Sequence, residues 1–283
     1  MPMEDLVRWL DRPTLHEPVV LAAFEGWSDA GDAASTAAGY LVERWDLDQV
    51  AELDPEEFYD FTSTRPMVQL DDDGQREIIW PATAVHAGTI GGTDQDVIVM
   101  IGPEPQLRWR TYCGLLAGIA TQYDARLCLT LGALLAEVPH TRPTPIVGTS
   151  YTPDAIGGID LQPSRYEGPT GIVGVLHDTW RAAGLRSASL WATVPSYVPG
   201  APSPKAALAL IERTAAILQA WVPTTDLEIA AASYERQVSE LVEADEETRS
   251  YVESLEQQHD DEPDAVPSAE SIADEVERFL RDQ

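Results

Sequence analysis

The sequence predicts an α/β fold, a layered sheet whose strands are joined by crossover helices. Short unbroken apolar runs of the buried-strand kind alternate along the chain with longer segments of helical period. With 283 residues, 44% hydrophobic and 23% charged, the chain can build one large core, or one core with an appendage, without covalent staples. No internal repeat or low-complexity tract interrupts this pattern.

The first run, Pro18 to Phe24, reads as a buried strand, and Asp29 to Trp45 as the helix after it. Ala30, Ala33, Ala34, Ala37, Leu41 and Trp45 fall on one face of that helix, and the small residues allow close approach to a sheet. Next comes a hairpin insertion near 56–81. Phe58 to Leu70 and Gln75 to Trp80 flank Asp71-Asp72-Asp73-Gly74, with β-branched and aromatic residues on both arms. Its apolar residues Phe58, Tyr59, Phe61, Ile78, Ile79 and Trp80 need cover, and two destinations are open: a subunit interface, or the protein's own core. The alternation then resumes with a strand at Asp96 to Ile101, a helix at Gln106 to Tyr123 and a strand at Arg126 to Leu131. A helix at Thr170 to Ala183, a strand at Ala188 to Val194 and a helix at Ser203 to Trp221 complete the series.

Charge divides the chain. The 18 basic and 48 acidic residues give a net charge of −30. Residues 226–283 hold 19 acidic and 4 basic residues, a net −15, so about a fifth of the length carries half the charge. The simplest organisation is a core domain over 1–225 and an acidic C-terminal helical hairpin over 226–283. Leu227, Ala231, Tyr234, Val238 and Leu241 form one apolar stripe, continued by Val252 and Leu255 after a polar break at Asp245 and Thr248. The linker Gln257 to Val266 ends it. Ser271 and Asp274 then offer a capping box before a second stripe at Ile272, Val276 and Phe279.

So acidic a chain repels polyanions, which disfavours nucleic acid and anionic membrane surfaces as partners. No run approaches the length of a membrane span, and the start MPMEDLVRWLDRP lacks a secretory pattern. Cys113 and Cys128 sit in apolar stretches as buried, inert thiols, which fits a reducing cytoplasm.

Ligands of α/β sheets gather at the carboxyl ends of the strands, where four loops stand out. In Phe24 to Asp32, Glu25 and Asp29 are candidate acid/base carboxylates or metal ligands, although Asp29 and Asp32 are at least as well explained as a helix cap and a first-turn acid. In Glu137 to Pro145, prolines hold His140 and Arg142 in a stiff, displayed loop, the histidine suited to proton transfer and the arginine to clamping an anion. In Tyr166 to Ile172, Thr170 is a candidate N-cap, and Tyr166, Glu167 and Gly168 border a helix start that could meet an anion. In Val194 to Lys205, Tyr197 and the protein's one lysine, Lys205, are delivered to a helix start, where a cation opposes the dipole. An ion pair, a ligand or plain solvation could explain that lysine.

Walker, nucleophile-elbow, dinucleotide and zinc-protease motifs are absent, and the five histidines have no metal-ligand spacing, so no metal or cofactor is expected. His177 falls inside a helix as a packed or exposed residue.

FEGWSDAGDAA at Phe24 to Ala34, PHTRP at Pro139 to Pro143, YEGPTG at Tyr166 to Gly171 and VPSYVPGAPSPKAAL at Val194 to Leu208 resemble the proteasome-assembly-chaperone-like (PAC-type) superfamily, in its actinobacterial branch of uncharacterised proteins. The likeness spans most of residues 15–222. It departs at Ser196, where the family has histidine before the tyrosine, which takes support from a catalytic role for that pair. The resemblance implies a phosphorylase/hydrolase-like three-layer α/β/α core, a hairpin used in oligomerisation, a homotrimer, and a C-terminal helical segment that covers the cleft as a lid. Two functions follow: a binding or assembly-chaperone-like protein that engages a protein partner or small ligand, or a small-molecule hydrolase or transferase using Glu25, His140 and Arg142 beneath that lid.

Overall fold

The computed structural model describes residues 6–71, 73–150, 161–163 and 167–261. The elements are β1 (Val7–Trp9), β2 (Val19–Glu25), α1 (Ala33–Arg44), β3 (Asp48–Leu53), β4 (Met67–Leu70), β5 (Arg76–Ile79), β6 (Ala84–Thr89), β7 (Asp96–Pro103), α2 (Trp109–Gln122), β8 (Leu127–Ala136), β9 (Ile146–Ser150), β10 (Gln162–Pro163), α3 (Ile172–Ala182), β11 (Ser187–Pro195), α4 (Pro204–Leu218), α5 (Thr225–Glu243) and α6 (Glu246–Asp261). Among the described residues, nine strands form one mixed sheet in the order β1-β3-β6-β7-β2-β8-β11-β9-β10. Its centre is parallel, with β2 paired to both β7 and β8 and β8 paired to β11. Antiparallel β6, β3 and β1 extend one side, and β9 pairs antiparallel on the other.

Two cores explain the layers. Along β2, Val19, Leu21 and Ala23 face α1 and α4, while Val20, Ala22 and Phe24 face α2 and α3. Side chains of a strand alternate between faces, so a strand apolar at every position is stable only with helices on both sides. The three-layer α/β/α arrangement follows. The alanine face of α1 is the close contact expected of it: Ala33, Ala34, Ala37 and Ala38 are fully buried.

Several expectations need correction. Trp45 and Trp221 lie outside the helices assigned to them; α4 stops at Leu218, where Gln219 turns left-handed, and Trp221 is 74% exposed. The hairpin is shorter than its sequence suggests. Phe58 and Tyr59 are not on a strand; they follow a 3-10 turn at Pro55–Glu57 and are buried in the core, Phe58 edge-on to Tyr112. Only Met67–Leu70 and Arg76–Ile79 pair, turned by Asp71, whose Oδ1 accepts the N–H groups of Asp73 and Gln75 at 3.0 and 2.7 Å. All eight paired residues are exposed.

The chain between Thr225 and Asp261 breaks at Asp245, which caps α6 by accepting the Thr248 N–H at 2.9 Å. α6 continues past Gln257, where the linker was expected to begin, because its Glu and Gln residues favour helix and Pro263 lies beyond. The capping box at Ser271 and the stripe at Ile272, Val276 and Phe279 lie outside the described residues. α5 packs along α4, with Leu227 entering the core shared by α1 and α4.

Cys113 and Cys128 are buried, unpaired thiols, each pushed up to about 12 by burial. His177 on α3 is fully buried between strands, Nε2 to Thr130 Oγ1 at 2.9 Å and Nδ1 to Ser187 Oγ at 3.0 Å, and burial pushes it down to about 3. Since the unfolded chain takes up this proton near pH 6.5 and the folded chain does not, the histidine favours folding above pH 6.5. Its contribution is lost on acidification, by up to about 1.4 kcal/mol per pH unit between 6.5 and 3. Urea midpoints measured across that range are expected to fall more steeply for the native chain than for His177→Gln; equal slopes would refute this origin.

Candidate functional site

All four central strands, β7, β2, β8 and β11, are parallel and end at one edge of the sheet. The chain leaves β2 for α1 on one face and leaves the adjacent β7 for α2 on the other. Neighbouring strands whose connections part to opposite faces open a crevice at their carboxyl ends. Glu25 ends β2 and Glu104 follows β7, joined through the Glu104 N–H to the Glu25 carbonyl at 2.9 Å.

Asp29 is buried in this region. Its Oδ1 accepts the N–H groups of Ala34 and Ser35 at 2.6 and 3.2 Å, so it caps α1 across the intervening 3-10 turn, while Oδ2 has no hydrogen-bond partner. Desolvation, then the neighbouring Asp29 and Asp32, hold the Glu25 carboxyl above the usual range; burial does the same for Asp29. Glu104, raised by burial, accepts the Ile172 N–H at 2.8 Å. It therefore supplies the cap of α3 expected of Thr170, whose hydroxyl bonds the adjacent Gly171 carbonyl instead. The distant carboxylate can approach because residue 171 has no side chain: a Cβ there would stand 3.0 Å from Glu104 Oε1 and 2.6 Å from the Trp27 ring. This helix start already holds a carboxylate. Glu167 and Gly168 are exposed before it, and Tyr166 lies outside the described residues.

A second group gathers at the ends of β8 and β11. His140 was expected on display, yet it is 3% exposed, because α5 crosses its loop. Tyr197 Oη lies 2.8 Å from both the His140 N–H and Nδ1, and Ser239 Oγ lies 2.9 Å from Nε2 and 2.9 Å from the Glu235 carbonyl. The hydrogen bonds fix the tautomer. The tyrosine oxygen accepts the backbone N–H and donates to Nδ1, so Nε2 carries the ring proton and donates to Ser239, which donates to Glu235. Burial first, then the Lys205 charge, hold this histidine below its ordinary value.

The two cations are also spoken for. Lys205 is not a solvated surface residue: its Nζ donates to the His140 carbonyl and pairs with Glu235. Arg142 grips Asp260 with two parallel bonds, Nε to Oδ1 at 2.8 Å and Nη2 to Oδ2 at 2.7 Å, and reaches Glu256 at 3.4 Å. Thr141 donates to the same Glu256. Tyr197 and Val198 close the contact against Tyr234, Val238, Val242 and Val252.

The candidates thus fall into two groups, Glu25 and Asp29 in the crevice, His140, Arg142, Tyr197 and Lys205 beneath α5 and α6. Sequence reading missed Glu104, Trp27, Thr141 and the acceptors on the C-terminal helices. Glu104 alone had a local signal, a carboxylate between two prolines directly after a strand. Among the described residues, no three His, Cys, Asp or Glu side chains are grouped to hold a metal ion, and no helix is long and apolar enough to cross a membrane.

A family model described as the PAC2 family matches residues 23–242. The structure is similar to a PAC2 family protein from Streptomyces avermitilis, with 42% identity over 83% of this chain and 99% of that one, at a TM-score of 0.76. A proteasome-assembly chaperone homologue from Mycobacterium tuberculosis gives 42% identity, the same coverage and 0.75. A protein of unknown function from Mycobacterium tuberculosis gives 26% identity over 98% of this chain and 97% of that one, at 0.85. No curated protein matches the sequence.

Asp29 separates capping from charge. Replacement by alanine is expected to cost about 1 kcal/mol through loss of the cap, while Asp29→Asn keeps the acceptor and removes the buried charge. The asparagine variant should melt above the alanine variant at pH 7 in thermal unfolding; coincident curves would refute the cap.

Proposed function

The chain belongs to the PAC2 family, and on that premise we propose that it is a homo-oligomeric, assembly-chaperone-like binding protein that takes its partner at the carboxyl edge of the sheet. The observation that carries the oligomer is the hairpin. Met67 pairs with Ile79 on one of its faces and Val68 with Ile78 on the other, and these four side chains are 40–63% exposed. Leu70 and Trp80 add to the exposed apolar surface at 70% and 47%. A two-stranded hairpin is marginal in water on its own, and one with apolar residues on both faces needs a second surface. A homotrimer, in which each hairpin lies against a neighbouring copy, supplies that surface with the same residues from every subunit.

The binding role is favoured over catalysis by the state of the titratable groups. His140 is locked in hydrogen bonds on both ring nitrogens, and Arg142 and Lys205 are engaged by carboxylates, so none of these three is free to work with Glu25. A protein partner accords with the Mycobacterium tuberculosis relative, a proteasome-assembly chaperone homologue. Cys113 and Cys128, buried and unpaired, suit a reducing cytoplasm.

Light scattering after gel filtration is expected to give three times the protomer mass for the native chain and one times for Val68→Asp/Ile78→Asp, with unchanged far-ultraviolet circular dichroism. A monomeric native chain, or a variant that stays assembled, would overturn the hairpin contact.

A further inference from the structure

The carboxyl edge holds an occupied binding surface. Arg142 and Thr141 on the loop after β8 and Lys205 in the first turn of α4 are cationic or donor groups, with Tyr197 and Val198 as an apolar patch beside them. Opposite them, α5 and α6 present Glu235, Glu256 and Asp260 together with Val238, Val242 and Val252. The bidentate Arg142–Asp260 fork is the geometry by which arginine recognises a carboxylate of any chain. The rest of this protein is so acidic that a positive surface is unusual on it, and the carboxylates these two cations meet, Glu235, Glu256 and Asp260, are all carried by α5 and α6.

The cover is also built to leave. Only Val252 and Leu255 of α6 are buried. Asp260 and Glu235 keep side-chain exposures of 56% and 40%, a setting in which an ion pair contributes about 1 kcal/mol or less. Between Thr225 and Asp261 there are twelve carboxylates and two arginines, so the segment repels itself wherever those cations are not engaged. Few buried apolar contacts and many exposed polar ones mark the low end of local stability.

We propose that α6 is a displaceable internal ligand, and that the surface beneath it binds an acidic amphipathic helix of a protein partner. The inference rests on the binding reading above and names the chemistry of the partner. α6 is then a lid over the loop after β8, with Arg142 as the residue that recognises it. Charge complementarity selects the occupant: a helix with carboxylates spaced four apart, as Glu256 and Asp260 are, and a valine or leucine beside them.

The probe is a fluorescein-labelled peptide of residues 246–261, titrated by anisotropy against full-length chains. Glu256→Gln/Asp260→Asn loosens the cover and leaves Arg142 free, so peptide affinity is expected to rise at least tenfold over the native chain, about 1.4 kcal/mol. Adding Arg142→Gln to that variant should abolish the gain, and 0.5 M NaCl should weaken binding throughout. Hydrogen exchange followed in parallel should speed up at 246–261 in the loosened variant while 206–218 keep native protection. Unchanged exchange at 246–261, equal peptide affinity for native and loosened chains, or a gain that survives Arg142→Gln would each overturn the proposal. Because none of these depends on the hairpin, a chain that proves monomeric leaves the outcome readable.

Discussion

β2 is the constraint from which the rest follows. It lies at the centre of the sheet with the parallel neighbours β7 and β8 on its two edges, and every residue from Val19 to Phe24 is buried. A strand that is apolar on both faces cannot stand at a surface, so α1 and α4 must cover one side and α2 and α3 the other. Once the chain leaves β2 and β7 toward opposite faces, the crevice between Glu25 and Glu104 is a geometric necessity. The site region is thus a by-product of burying one strand.

That logic also decides what the sequence could disclose. The central strands and α1 to α4 are legible because their signals are local: continuous apolar runs and helical periodicity. β1, β3, β6 and β9 are not, since they are short edge or near-edge strands with mixed polarity, held by pairing to partners that no local pattern names. In the hairpin the turn chemistry was readable at Asp71 and Gly74. The destination of each aromatic was not, because Phe58 and Tyr59 are drawn into the core by Tyr112, a residue on a helix far along the chain.

The candidate site divides in the same way. Glu25, Asp29, His140, Arg142, Tyr197 and Lys205 could be named from their loops, because the rule that ligands gather at strand ends requires only the strand ends. Their partners could not. Ser239 meets His140 across 99 residues and Asp260 meets Arg142 across 118. The prolines around His140 do stiffen its loop, but stiffness settles backbone shape and not exposure, and α5 buries the ring. Charge patterning marked only a boundary near residue 225; that the carboxylates beyond it meet Arg142 and Lys205 comes from the structure.

Lys205 has one more consequence. It is the protein's sole side-chain amine, and its Nζ is held between the His140 carbonyl and the Glu235 carboxylate. An ammonium so engaged is a poor nucleophile, since it must shed both a proton and its carboxylate before the nitrogen lone pair is available. Acylation of a side-chain amine in this protein is therefore confined to a single nitrogen whose access follows the position of a helix. An amine-directed label, read at that one residue, counts the molecules in which α5 has moved away.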